Sequence, residues 1–416
     1  MKQNLSNVAS TRIQSFLLIV LLAATWTVRA WSQPIAFIFL GIITILVFIR
    51  APKMWSFPRV GVPLVIVSFA STVWAVSAER ALLEAMATFL IIFTGYTVGY
   101  HLSAGNIIVV LRRACFIVAA ISLFLYYTHP RLVTSIIDSG VLIGPATQKN
   151  VFAYVILLGF GATLFSNWTV KTCFIRIVQL STLAATLILA ESATNITLAG
   201  TLVIIRGAVA VSMKGKSWSN FVSAVMWFIA ASAVLFGWLF VEIVLGMLGR
   251  DMTFTGRTTI WQNGLILWRD RPIFGYGGGF FYVFSDPSLS FGYEASQVVY
   301  EMSIGWALDI MHSGFLEAAI YYGIIGVVVF SIMVITFVIR SIKVFCNAPT
   351  LVTGWLLAIG LTLPVTLALE NAFRTPRFAM LAIGLGCCAA AMPPRNKASL
   401  DDRKQFDGPL VAMEPC

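Results

Sequence analysis

Charge is scarce in this sequence. Asp, Glu, Lys and Arg make up 11% of its 416 residues, against about 25% in soluble globular chains. Hydrophobic residues make up 59%, and the mean hydropathy is +0.90. Only the last two dozen residues or so escape the long apolar runs, which excludes a water-soluble fold. Acid is scarcer than base, with 17 Asp and Glu against 28 Lys and Arg and a net charge of +11. The bases are scattered between apolar runs and form no dense stripe, so nucleic acid is not the implied partner. The six cysteines form no C-x-x-C pair, which argues against a disulfide framework or a thiolate metal site. Three histidines, with no H-x-x-x-H or H-E-x-x-H spacing, give no histidine metal site either, and no cofactor is expected. After Lys2 and Arg12 no small-residue cleavage site follows the first apolar run, so that run reads as a retained helix.

What is present is a series of segments near the 20 apolar residues needed to cross a bilayer. About twelve are expected, near 14–28, 34–49, 61–76, 82–100, 107–127, 150–166, 173–190, 194–212, 220–245, 312–339, 350–369 and 376–392. The fold class is therefore an all-α polytopic membrane protein. With the N-terminus inside, the inner connections carry Lys2, Arg12, Arg50, Lys53, Arg59, Arg112, Arg113, Lys171, Arg176, Arg206, Lys214, Lys216, Arg340 and Lys343. The tail adds four more bases. No acid falls in an inner connection before the tail, which places both termini in the cytoplasm. The outer connections also hold bases, among them Arg131, Lys149, Arg257, Arg269, Arg271, Arg374 and Arg377. Orientation does not explain these. Each is either a solvated or headgroup-facing residue or part of an outward anion-binding surface.

The one long connection, 246–311, divides the chain. A transmembrane bundle of about nine spans precedes it (1–245). The C-terminal transmembrane helices (312–392) and a polar cytoplasmic tail (393–416) follow. The connection is too long for a turn and too aromatic for disorder. Its first half reads TGRTTIWQNGLILWRDRP, a short helix capped by Thr255 or Thr258, ending before Pro272 and carrying Ile260, Trp261, Leu265 and Trp268 on one interfacial face. Arg257 sits at its start, where free backbone N–H groups and a guanidinium both favour an anion. The glycine run Gly275, Gly277, Gly278, Gly279 has no preceding strand and no GK[ST], so it reads as a tight turn under a sugar or lipid headgroup and not as a nucleotide cradle. His312 stands where the polar loop becomes a helix. An isolated histidine is commonly structural; here its place beside the basic motif also suits a general base. Glu317 lies five residues on and does not share its helical face, so no His–Glu dyad is implied within the helix.

The order GR-x-x-x-W, P-x-x-G-x-G, H-x-x-x-L, G-x-x-G, here Gly256-Arg257, Trp261, Pro272, Gly275, Gly277, His312, Leu316, Gly323 and Gly326, resembles the O-antigen ligase and Wzy-type polymerase superfamily. Its spacing is most similar to the ExoQ-type exopolysaccharide production proteins. STVWAVSAERALLEA resembles the family's segment after the third span, and GPATQKNVFAY its KN motif, with Lys149 and Asn150. Two departures stand out. The family's S-R-T arginine is absent from Glu191-Ser192-Ala193-Thr194, so that Arg131, Arg374 or Arg377 would have to replace it, and the family's His-Asn is His312-Ser313.

The resemblance implies metal-independent glycosyl transfer at the periplasmic face of the bacterial inner membrane. The donor is a glycan on undecaprenyl diphosphate, and the acceptor is a lipid-linked repeat (polymerase) or a lipid A core sugar (ligase). It further implies membrane lipids, a chain-length regulator and export proteins as partners. Its site residues would be His312 and Arg257 in catalysis, with Lys149, Asn150, Arg271, Trp261, Gly277 and Arg374 binding substrate. Two other classes compete: a transporter of polysaccharide or lipid-linked oligosaccharide, which would show mid-span ionisable groups and inverted repeats, and an assembly partner in an export complex.

Overall fold

A computed structural model describes residues 41–42, 59–135, 140–146, 148–213, 257–280, 292–304, 311–373 and 375–392. The expected spans near 14–28 and 220–245, most of the span near 34–49, and the tail from 393 lie outside the described residues. Among the described residues, α-helices run in the order α1 Val62–Ala70, α2 Ala78–His101, α3 Ala104–Thr128, α4 Lys149–Leu164, α5 Val170–Leu189, α6 Ala193–Ser212, α7 Arg257–Asp270, α8 Tyr293–Ile304, α9 Gly314–Asn347, α10 Leu351–Leu369 and α11 Pro376–Ala391. Among the described residues there is no β-strand, only one isolated bridge between Thr134 and Leu142.

Local chemistry fixes the helix starts. Ser77 and Ser103 accept backbone N–H groups of α2 and α3. Thr169–Thr172 and Thr350–Thr353 form reciprocal caps on α5 and α10. Pro376 opens α11, where a missing N–H costs nothing.

Six helices (α2, α3, α5, α6, α9 and α10) are long and apolar enough to cross a membrane, and the apolar stretches Val62–Val73, Lys149–Leu164 and Pro376–Ala391 are shorter. Every expected span on described residues is thus a helix, but three fall short of the spanning length. The expected span 312–339 continues to Asn347.

Two of the short helices form the centre. Along α4 every residue from Val151 to Thr163 is buried, and along α11 every residue from Pro376 to Cys388. The α2–α11 contact is close enough that a Cβ on Gly99 would run into the backbone of Ile383, the small-residue packing expected where no water drives helices together. In contrast α3, α5 and α6 turn Ile117, Phe124, Phe174 and Ile204 outward, as helices facing lipid do.

Short links between successive helices make them antiparallel, so the bundle has two ends. One gathers the start of α2, the end of α3, the start of α4, the α5–α6 turn, α7, the start of α9 and the α10–α11 link. Every described acidic residue belongs to this end: Glu79, Glu84, Glu191, Asp270, Glu294, Glu301, Glu317 and Glu370. The opposite end carries Arg59, Arg112, Arg113, Lys171, Arg176, Arg206, Arg340 and Lys343. One expectation is corrected here. Arg112, Arg113, Lys171, Arg176, Arg206, Arg340 and Lys343 do not lie in connections but on α3, α5, α6 and α9 themselves, because helical hydrogen bonding runs on past the apolar stretch into these residues.

Candidate active site

The acidic end is organised by the link between α10 and α11. Its first residue, Glu370, has a side chain only 3% exposed. The carboxylate lies 3.3 Å from Nδ1 of His312, whose own side chain is 22% exposed. The next residue, Asn371, accepts the His312 backbone N–H through Oδ1 at 3.0 Å. His312 needs that anchor, because its φ of 47° lies in the left-handed region that L-residues enter at a cost. Glu317, one turn into α9, accepts the N–H groups of Ala372 and Phe373 at 3.0 and 3.3 Å. One carboxylate therefore holds the link, and the link brings a second carboxylate to the imidazole. With Nδ1 turned to Glu370, the other ring nitrogen, Nε2, is left for chemistry.

From the other side α7 supports the same histidine. The indole of Trp261 donates to the carbonyl of Met311, the residue before His312, at 3.1 Å. Gly264 packs on Leu316 and Met311, and Leu267 is fully buried. α7 thus packs through the buried Gly264 and Leu267, with Ile260 half-buried at helical spacing before them, while Leu265 is 42% exposed. Of the residues expected on one interfacial face, Ile260, Trp261 and Trp268 are half-buried and Leu265 is exposed.

The glycine run ends α7 and packs against three other elements. Tyr276 and Gly277 donate to the carbonyls of Ile320 and Tyr321 at 2.8 and 2.9 Å, and Ile324 donates back to Pro272. This backbone pairing interrupts α9 at Gly323, which adopts φ 63° and ψ −159°. Gly275, also at positive φ, faces it. A Cβ at either position would meet backbone of the other segment, so both require glycine. On the far side Trp74 donates its indole N–H to the Phe274 carbonyl, and Val76 N–H donates to Tyr276. The segment after α1 thus meets the glycine turn, two stretches singled out separately in the sequence. Gly277 itself is buried against Ala75.

Arg271 lies over the Tyr276 ring at 4.9 Å and 4.0 Å from the Asp270 carboxylate. The Tyr276 hydroxyl donates to Asp270 at 2.7 Å. Burial, and then that hydrogen bond, hold the phenol well above its usual pKa, so it stays a donor. Arg271 also lines an open cleft of about 300 Å³ with Trp74, Pro272, Ile273, Phe274 and Gly275.

A second polar group sits at the start of α4. Lys149 is its first residue and is half-buried. Asn150 accepts the Ser192 hydroxyl at its side-chain oxygen, 2.9 Å, and the Asn195 amide at its carbonyl, 3.4 Å. Arg377 reaches the same carbonyl at 3.1 Å, lies 4.9 Å over the Tyr154 ring and is 1% exposed. Of the three arginines expected as replacements for the one absent at Ala193, Arg377 is brought to Asn150, which also bonds Ser192 and Asn195. Arg131 is exposed on the short turn Pro130–Leu132, and Arg374 lies outside the described residues. Arg257 is the first residue of α7, and its side chain is outside the described set. The α10–α11 link and the start of α11 join the two groups, with Glu370 and Asn371 on His312 and Arg377 on Asn150. Among the described residues no three His, Cys, Asp or Glu side chains gather as metal ligands.

With this arrangement in view, comparison with known proteins places the chain. Residues 133–331 match the O-antigen ligase family, Wzy_C. That segment is just under half of the chain and includes Lys149, Asn150, Arg257, Trp261, Arg271, Gly277 and His312; Glu370 and Arg377 lie beyond it. A stretch of 106 residues is 31% identical to the exopolysaccharide production protein ExoQ of Rhizobium meliloti (strain 1021), covering 25% of this chain and 22% of that protein. The match thus spans about a fifth of the length of its curated relative. Together with the six described helices long and apolar enough to cross a membrane, these support a multi-pass membrane protein similar to the O-antigen ligase family.

Sequence reasoning missed Glu370, Asn371 and the function of Glu317. A usable signal was present: Glu370-Asn371 closes an apolar run, and an acid at the edge of a span marks a site more often than a solvated surface.

Proposed function

We propose that the protein transfers a glycan from undecaprenyl diphosphate to an acceptor sugar at the periplasmic face of the bacterial inner membrane, polymerising exopolysaccharide or O-antigen repeats. The observation that carries this reading is the His312–Glu370 pair, held by Asn371 and Glu317 at the end of the bundle that also bears Lys149, Arg271 and Arg377. The acidic end is read as periplasmic because the opposite end holds the helix-borne bases.

In the proposed reaction, Nε2 of His312 takes the proton of the acceptor hydroxyl as its oxygen attacks the anomeric carbon. The bond from that carbon to the diphosphate oxygen breaks, and lipid diphosphate leaves with the bonding electrons. Glu370, accepting from Nδ1–H, fixes the ring and stabilises the imidazolium, a positioning role that leaves the carboxylate ionised throughout. The leaving group is already a stabilised anion, so the demand on the protein is positive charge in fixed places. Arg257, Lys149, Arg271 and Arg374 are the assigned phosphate contacts. Arg377 takes the part of the family arginine missing at Ala193 by fixing the start of α4 beneath Lys149. Trp74 and Phe274, flanking Arg271 in the open cleft, offer flat apolar walls to a sugar or prenyl segment.

The test is reconstitution. Purified protein with lipid-linked oligosaccharide should form a glycosidic bond without other components, and His312→Ala should not. Normal polymer length and yield from His312→Ala in cells would remove the base assignment. The name of the matched family favours a second reading, ligation to lipid A core. Deletion would then accumulate long undecaprenyl-linked polymer, whereas loss of a polymerase leaves single repeats.

A further inference from the structure

The end of the bundle away from His312 holds charges that glycosyl transfer does not use. Arg112 lies two turns inside α3, about 12 Å from its first residue at 1.5 Å per residue, and is 5% exposed. Its Nε is buried with no hydrogen-bond partner among the described residues, as is Nε of Arg176 on α5. Arg176 makes one bond, from a terminal nitrogen to Gln179 at 3.0 Å. The charges acting on Arg112 are those of Arg176 and Arg113, both positive, and Arg113 acts on Arg176 as well. Among the described residues the acids all sit at the far end. Arg112 and Arg176 are therefore partly stripped of water beside the exposed Arg113, with no counter-charge among the described residues.

Orientation accounts for bases in solvated connections; it does not account for arginines drawn into a helix and desolvated. Such groups are costly unless something acidic completes them. The missing partner must carry several acceptor oxygens to meet more than one guanidinium fork, which is the chemistry of a phosphate. The surroundings narrow the source. The same two helices expose Ile117, Ile121 and Phe174 at 55%, 54% and 75%, an apolar flank of no use to a free phosphate and well suited to acyl chains.

We propose that Arg112, Arg113 and Arg176 form a headgroup site for an anionic phospholipid, of the phosphatidylglycerol or cardiolipin class, in the leaflet opposite the active site. The lipid's phosphate completes the buried donors while its chains lie along α3 and α5.

The experiment uses the full-length protein in detergent, with bound lipid read by native mass spectrometry and unfolding followed thermally. Micellar phosphatidylglycerol or cardiolipin should raise the Tm and give bound-lipid species, while phosphatidylcholine and inorganic phosphate should do neither. The double variant Arg112→Gln, Arg176→Gln should bind the anionic lipid at least about tenfold more weakly. Undiminished binding by that variant, or a full Tm shift from inorganic phosphate alone, overturns the proposal. If the double variant does not fold, the exposed Arg113→Gln carries the test: a several-fold loss supports the site and wild-type affinity overturns it. Asp401→Asn with Asp402→Asn, in the full chain, should leave lipid binding unchanged; tighter binding would mean that the chain's own acids occupy the arginines, and would likewise overturn it.

Discussion

The two ends of the bundle are both charged, yet they use charge differently. At the His312 end each described carboxylate of the α9–α11 site has a job: Glu317 accepts two backbone N–H groups and Glu370 faces the imidazole. At the other end Arg112 and Arg176 have no carboxylate to face among the described residues. Charge paired inside the protein builds a fixed geometry, and charge left without an internal partner implies an external one. The first is what a reaction needs, because misplacement of a base by an ångström costs rate. The second is what adhesion to a lipid leaflet needs.

Substitutions can break this comparison, and the largest effects are expected at the histidine. His312→Ala should lower glycan transfer by about 10²–10⁴-fold with the protein still in the membrane, measured on lipid-linked oligosaccharide. The same loss from Arg112→Gln would abolish the distinction between the ends. Glu370→Gln should lower kcat by about 10²-fold or more with little change in KM, and Glu370→Asp should restore part of it, with a shifted pH profile that loss of packing would not produce. Next is the backbone crossing: Gly323→Ala forces φ 63° on an alanine and a Cβ onto Ile273, so it should cost about 1–2 kcal/mol or more, read as a lower Tm in detergent.

Arg377→Lys should reduce transfer by roughly tenfold, since one ammonium cannot both bond the Asn150 carbonyl and stack on Tyr154. Arg271→Lys, at a half-exposed residue, should cost less. The smallest effect belongs to Tyr276→Phe, about 0.5–1.5 kcal/mol for one hydrogen bond to Asp270. Its pH dependence has a definite sign. A phenol with a raised pKa stabilises the fold below the ordinary value of 10.0 and loses that contribution as pH rises beyond it. The gap between wild type and Tyr276→Phe should therefore narrow above about pH 10.

Much of the fold was legible because lipid imposes one rule, that backbone polar groups be satisfied within each segment. Apolar run length then located every described span. Length did not reveal which helices are central, because α4 and α11 are short and their burial comes from neighbours. His312 was legible by its place at a loop-to-helix boundary, and Trp261 by its position in a short helix, although its task is to hold Met311 and with it the backbone before His312. Glu370 was not, because its partner is 58 residues away and the contact exists only once α9, α10 and α11 are packed. Asn150, expected to touch substrate, also has an internal partner that its motif does not reveal, the Ser192 hydroxyl at its side-chain oxygen. A sequence motif shows that a residue matters more readily than it shows what the residue touches. Gly277 likewise fits the pattern and is buried against Ala75, where its backbone does the work.

The break at Gly323 has a mechanical consequence. Backbone bonds from the glycine turn to Ile320 and Tyr321 tie the opening two turns of α9 to the segment 271–277, so His312 rides on a short lever hinged apart from the longer rod behind it. Tugging on the segment 271–277 would reposition His312 without bending the remainder of that helix.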